Sequence, residues 1–191
     1  FNLENLKAAM KICQYCGISD HEILEAFKDI TAPPGRFELI QEAQSFSVIV
    51  DYAHTPDGLE HCLKESKKIA QREKGRLIAV FGCGGDRDRG KRPLMGQISE
   101  TYADISIVTQ DNPRTENQDQ IIEDILNGFQ GPHPLVIHNR EEAIHHAIGI
   151  AREKDVIMIA GKGHETVQVI GETAYHSDDR ELAREAIRKR E

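Results

Sequence analysis

RLIAVFG (residues 76–82) is a short apolar run between an arginine and a glycine, and CGGDRDRGKRP (residues 83–93) follows it directly. The run is too short for a stable helix and has no polar face, so it reads as a strand buried on both sides. Three segments of the same kind follow: DISIVTQ (104–110), PLVIH (134–138) and DVIMIAG (155–161). Helical patterns near residues 93–103, 117–129 and 140–153 separate them. This alternation predicts the α/β class, a doubly wound, mostly parallel, Rossmann-like sheet with helices on both faces.

Upstream, FELIQEA (37–43) and FSVIVDYA (46–53) read as two strands of a hairpin turning at Gln44-Ser45. Thr55-Pro56 opens a long helix to about Glu73, with proline at its first position. A terminal helix is expected from about Asp178 to Arg190. At the other end, Asn2 caps a helix to about Cys16 that Gly17 closes, and Ser19-Asp-His-Glu22 is a capping box opening a second helix to about Ile30. Pro33-Pro34-Gly35 then breaks the chain. The expected organisation is a short helical segment, residues 1–34, and a main domain, residues 35–191. The first residue, Phe1, lies on a helical pattern, which suggests a piece of something longer.

The 191 residues suffice for one sizeable core, and a net charge of −8 argues against a general nucleic-acid binder. No apolar run approaches the roughly 20 residues that span a bilayer, so no membrane partner is expected. Four cysteines without a disulfide spacing point to a reducing, cytoplasmic setting. Cys13 and Cys16 stand one helical turn apart with no second pair at zinc-ligand spacing, and are read as core thiols. No metal ligands are expected on this chain.

Ligands of such sheets sit beyond the carboxyl ends of the strands, which singles out four loops. In DYAHTP (51–56), Asp51 can accept from ribose hydroxyls and His54 can meet phosphate or relay a proton. GDRDRGKR (85–92) nearly spells a phosphate-binding P-loop, but Arg92 stands where Ser or Thr should hold Mg²⁺ and Asp86 and Asp88 oppose phosphate. What remains is Arg87, Arg89, Lys91 and Arg92 before a helix, a candidate anion site beside the alternative of a solvated charged loop. DNPR presents the carboxylate of Asp111, the amide of Asn112 and the guanidinium of Arg114 on a turn stiffened by Pro113. In GKGHE (161–165), two glycines admit close approach while Lys162, His164 and Glu165 offer charge.

Taken in order, DYAHTPD, FGCGGDRDRGKRPLMG, TQDNPRTE and AGKGHE resemble the strand ends of the carboxyl-terminal domain of the Mur ligases. Within that family the likeness is to the branch adding meso-diaminopimelate to UDP-N-acetylmuramoyl-L-alanyl-D-glutamate, and it covers essentially the whole chain. FNLEN at the start looks like the last helical part of the family's central ATPase domain, and GRFE (35–38) like its hinge. The resemblance implies amide formation through an acyl phosphate made with ATP and Mg²⁺, the P-loop and Mg²⁺ ligands belonging to the central domain. It implies a monomer inactive as this piece alone, whose partners are ATP, meso-diaminopimelate and the UDP-N-acetylmuramoyl dipeptide. Residue by residue it assigns Asn2 and Asn5 to adenine, Arg36 and Asp51 to the nucleotide, and His54 to the phosphates as the catalytic group. Arg87 falls to the amino acid's carboxylate near the reacting amine. Asp111, Asn112, Pro113 and Arg114, with Gly161 and Glu165, fall to the distal end of diaminopimelate. An L-lysine-adding relative, a folylpolyglutamate or cyanophycin-type ligase, and a stand-alone dinucleotide-binding module are the alternatives; DNPR speaks against the ligases, and the missing GxGxxG against the module.

Overall fold

The computed structural model describes residues 2–28 and 33–190, without the side chains of residues 2–4. Chain contacts divide it into two compact units, Phe1–Pro33 and Pro34–Glu191. The first holds helices α1 (Asn2–Tyr15) and α2 (Asp20–Lys28). Gly17, at φ +84°, closes α1, and the capping box of α2 forms as expected: Ser19 N–H donates to Glu22 Oε2 at 3.0 Å and Glu22 N–H to Ser19 Oγ at 3.3 Å. The expected end of α2 near Ile30 lies outside the described residues. Two short helices bury little. Cys13 is half-buried and Cys16 exposed, so neither is the core thiol expected; the buried cysteines are Cys62 and Cys83, in the second unit.

That second unit is the expected α/β sandwich. Among the described residues its main sheet has six strands in the order β1-β2-β6-β3-β4-β5: β1 Glu38–Ile40, β2 Ser47–Asp51, β3 Leu77–Phe81, β4 Ile105–Val108, β5 Leu135–Val136 and β6 Val156–Ala160. β1 and β2 form the antiparallel hairpin, and every other pairing is parallel. The intervening helices are α3 (Pro56–Glu73), α4 (Lys91–Tyr102), α5 (Gln118–Leu126) and α6 (Arg140–Ile150), with α7 (Asp179–Arg190) last. Thr55 caps α3, its hydroxyl accepting from Gly58 N–H, ahead of proline in the first turn.

Continuously apolar strands serve two cores here. Leu77, Ala79 and Phe81 join α3, α4 and α5 on one face, while Ile78 and Val80 join α6 and α7 on the other. In β6, Val156, Met158 and Ala160 alternate in the same way with Ile157 and Ile159. Deleting one such side chain, as in Ile159→Ala, costs about 2–5 kcal/mol. α7 is also tied to the first strand and its turn: Arg184 donates to Glu38 at 3.2 Å and Arg188 to Glu42 at 3.0 Å.

β6 enters between β2 and β3, although α3 and α4 pack on one face and the chain beyond β6 continues into α7 on the other. Neighbouring loops therefore part at the strand ends and leave a crevice there. One further element was absent from the sequence-based expectation: an antiparallel pair, β7 (Val167–Ile170) and β8 (Thr173–His176), forming a separate two-stranded sheet. No helix among the described residues is long and apolar enough to cross a membrane.

Candidate functional site

A cavity of about 490 Å³ opens where the four loops converge. The β2 loop gives it Tyr52 and His54; the β3 loop Gly84, Arg87, Asp88 and Lys91; the β4 loop Asp111, Asn112 and Arg114; and the β6 loop Gly161 and Glu165. Both signs of charge thus meet in one recess.

The loops are positioned by groups that never face it. Arg140, first residue of α6, is 1% exposed and makes a two-pronged ion pair with Asp179, first residue of α7. Its remaining donors reach Gln110 O at 3.3 Å and Ala160 O at 3.0 Å, the last carbonyls before Asp111 and Gly161. One guanidinium therefore fixes two strand ends at once. Arg92 does the same for the β3 loop, fully buried between Glu116 at 2.9 Å and Asp124 at 2.8 Å. Arg89 also pairs with Glu116, at 3.0 Å. The expected four-residue anion site is corrected accordingly: Arg92 is buried against Glu116 and Asp124, the exposed Arg89 pairs with Glu116 away from the cavity wall, and Arg87 and Lys91 line the cavity. Lys91 also donates to His54 O at 2.7 Å, joining the β2 and β3 loops.

Lys162, expected to offer its charge to a ligand, is buried. Its ammonium donates to Val167 O and lies 3.8 Å from Glu165. Burial, reinforced by the neighbouring Arg140 charge, holds it below the usual lysine range. Cys83, behind the glycine-rich loop, is pushed up to about 12 by burial and is no nucleophile at neutral pH.

Within the DNPR loop, Asp111 Oδ1 accepts its neighbour's N–H, from Asn112, at 2.6 Å. A Cβ on Gly161, where φ is +122°, would stand 2.7 Å from the other oxygen, so glycine alone admits the carboxylate there. Asn112 Nδ2 donates to Glu165 Oε2 at 2.9 Å. Arg114, at φ +52°, gives Nη1 to Gly85 O at 2.8 Å; among the described residues its Nε and Nη2 have no protein acceptor. Pro113 is buried and off the cavity wall, bracing the turn.

His54 Nδ1 lies 2.8 Å from Tyr52 O, and because a carbonyl only accepts, Nδ1 carries a proton, leaving Nε2 as the acceptor of the neutral imidazole. Arg36 is exposed and stacks on the Tyr52 ring at 4.8 Å. Asp51 is 5% exposed, its oxygens accepting from Phe37 N–H at 2.6 Å and Ala53 N–H at 2.7 Å. It secures the segment that carries Arg36 and lies off the cavity wall. Asn5 is exposed in the first unit, and the side chain of Asn2 lies outside the described residues. Among the described residues no group of three or more His, Cys, Asp or Glu side chains gathers to hold a metal ion.

Comparison with known proteins bears on this geometry. The family model "Mur ligase, glutamate ligase domain" matches residues 35–163. The UDP-N-acetylmuramoyl-L-alanyl-D-glutamate--2,6-diaminopimelate ligase of Bacillus cereus is 48% identical over 187 residues, which is 98% of this chain and 38% of that protein. The ligase of the same name from Geobacillus kaustophilus is 49% identical over 193 residues, covering 100% of this chain and 39% of that one. A solved structure of a ligase of that name superposes with a TM-score of 0.74 at 40% identity, over 98% of this chain and 38% of that one. The chain thus spans less than two-fifths of the length of the relatives it matches.

Proposed function

Since the chain belongs to the Mur ligase family through its glutamate ligase domain, we propose that it is the part of a meso-diaminopimelate-adding ligase that receives the incoming amino acid. The observation that carries this reading is the mixed-charge cavity, with Arg87 and Arg114 beside Asp111, Asn112 and Glu165. Meso-diaminopimelate has a zwitterion at each end. The free Nε and Nη2 of Arg114 form a fork for the distal carboxylate, a geometry lysine could not supply. Glu165 and the Gly161 carbonyl accept from the distal ammonium, and Arg87 takes the carboxylate beside the reacting amine. L-lysine lacks the distal carboxylate and would leave Arg114 unpaired, which is the basis for rejecting it.

ATP supplies the activation: its terminal phosphoryl group passes to the acceptor's carboxylate, releasing ADP, and the amine then attacks the acyl carbon and displaces inorganic phosphate as the amide forms. This chain's part is to hold the amine against that centre, which removes an entropic barrier. His54, the catalytic candidate on the cavity wall, would use Nε2 of its neutral imidazole to take the proton the amine sheds. Arg36 and Asp51 serve the nucleotide, Asp51 by fixing the segment beside Arg36 and through the lone pairs its amide contacts leave. Asn2 and Asn5, on the helical tail read as the end of an ATPase domain, serve the adenine. No step on this chain is routed through Mg²⁺.

The test uses the full-length ligase with ATP and UDP-N-acetylmuramoyl-L-alanyl-D-glutamate. Amide formation with meso-diaminopimelate and little with L-lysine is the expected result; equal or better use of lysine would sink the reading.

A further inference from the structure

The loop presenting Asn112 and Arg114 is held from behind by the β7–β8 hairpin, which none of the four strand-end motifs contains. Four hydrogen bonds join them. Gln168 Nε2 donates to Asp111 O at 2.6 Å, and Val169 N–H to Asn112 Oδ1 at 2.8 Å. Arg114 N–H donates to Val169 O at 3.1 Å, and Gly171 N–H to Arg114 O at 2.8 Å. Arg114 and Ile170 pair as a parallel bridge, so for one residue the loop is a third strand of the hairpin.

This clamp decides how the loop meets a ligand. Because Asn112 Oδ1 is taken by a backbone donor, its Nδ2 must turn toward Glu165. The left-handed backbone of Arg114 is unfavourable for a residue with a Cβ and persists only where its surroundings enforce it. Here both the N–H and the C=O of Arg114 are bonded to β7 or its turn. The side-chain anchor between the two is Gln168, 8% exposed, with its amide on a main-chain carbonyl.

We infer that Gln168 is a positioning residue for amino-acid selectivity, setting through the hairpin where Arg114 and Glu165 stand. The inference rests on the reading of the cavity as the diaminopimelate site. A fork discriminates only when held within about 0.5 Å of its target, and a loosened Arg114 finds other acceptors when the distal carboxylate is missing.

The experiment uses the full-length ligase and begins with the wild type: failure to use meso-diaminopimelate would defeat the functional reading, whatever Gln168 does. Given that use, Gln168→Leu keeps the bulk and removes the donor. The diaminopimelate KM is expected to rise about tenfold, the scale for stranding a buried acceptor, while kcat and the ATP KM stay within about twofold. The ratio of lysine to diaminopimelate use should rise with it. Tyr175→Thr, on the exposed strand opposite Gln168 in register, is the control expected to change neither. An unchanged diaminopimelate KM and lysine ratio in Gln168→Leu would overturn the inference. So would a uniform fall in every kinetic parameter together with the thermal midpoint, which would mark a merely structural role.

Discussion

Arg140 and Asp179 meet as a two-pronged ion pair, 2.7 Å on each prong, 39 residues apart in sequence and both withdrawn from solvent. Removing one partner strands the other charge. Asp179→Ala should therefore destabilise the second unit by about 3–5 kcal/mol in urea unfolding, and adding Arg140→Met should recover only part of the loss, because Gln110 O and Ala160 O then lose their donor. An Asp179→Ala cost under about 1 kcal/mol would mean the pair behaves as a solvated one.

Arg114 is the test of ligand choice. In the full-length ligase, Arg114→Ala should lower kcat/KM for meso-diaminopimelate about 30- to 1,000-fold while leaving the ATP KM nearly unchanged. Arg114→Lys should restore only part, because an ammonium keeps the charge without the fork. Diaminopimelate kinetics within about twofold of wild type would identify Arg114 as a loop brace that meets no ligand.

Asp155 gives the pH prediction. Burial works against its ionisation, but the Arg76 guanidinium at 2.6 Å and the amides of Arg76 and Arg152 overcome it and hold the carboxyl below its usual range. A depressed carboxyl contributes stability that is present above the unfolded value, about 3.9, and is lost as pH falls through the lower folded one. At pH 7 Asp155→Asn should be less stable than wild type by about 1–3 kcal/mol. The gap should close as both proteins are unfolded at successively lower pH down the acid limb; a gap independent of pH would refute the assignment.

Much of this was legible in the sequence, and the reasons differ by element. Strands β3 and β6 declared themselves because burial on both faces demands unbroken apolar runs, and α3 through its Thr55-Pro56 start. The convergence of the four loops on one cavity followed from the rule for strand ends. The β7–β8 hairpin went unread because its partner is a loop, so its strands carry no strong apolar stripe. Its signal was the alternation of VQVI around Gly171, which takes φ +59° in the turn. The buried roles of Arg92, Arg140 and Lys162 were hidden for another reason. Sequence shows a charge, but Glu116 and Asp179 become the partners of Arg92 and Arg140 only after folding, and Lys162 is buried only once its loop folds its ammonium onto Val167 O.

The 191-residue chain alone should form no amide and hydrolyse no ATP. Residues 85–92 fail as a phosphate-binding loop, and the chain spans 38% to 39% of its matched relatives. Turnover by the purified chain, assayed with all three substrates and Mg²⁺, would contradict this.

The ion pairs of Arg184 and Arg188 with Glu38 and Glu42 set the last helix of the second unit beside its first strand and turn. Where entry and exit lie within one side chain's reach, a short linker can join them and fresh ends can be opened elsewhere. The exposed turn at residues 131–133, between α5 and β5, is the natural place to cut. A permuted form would keep the whole cavity while moving both termini to the opposite edge of the sheet. The second unit is thereby suited to transplantation.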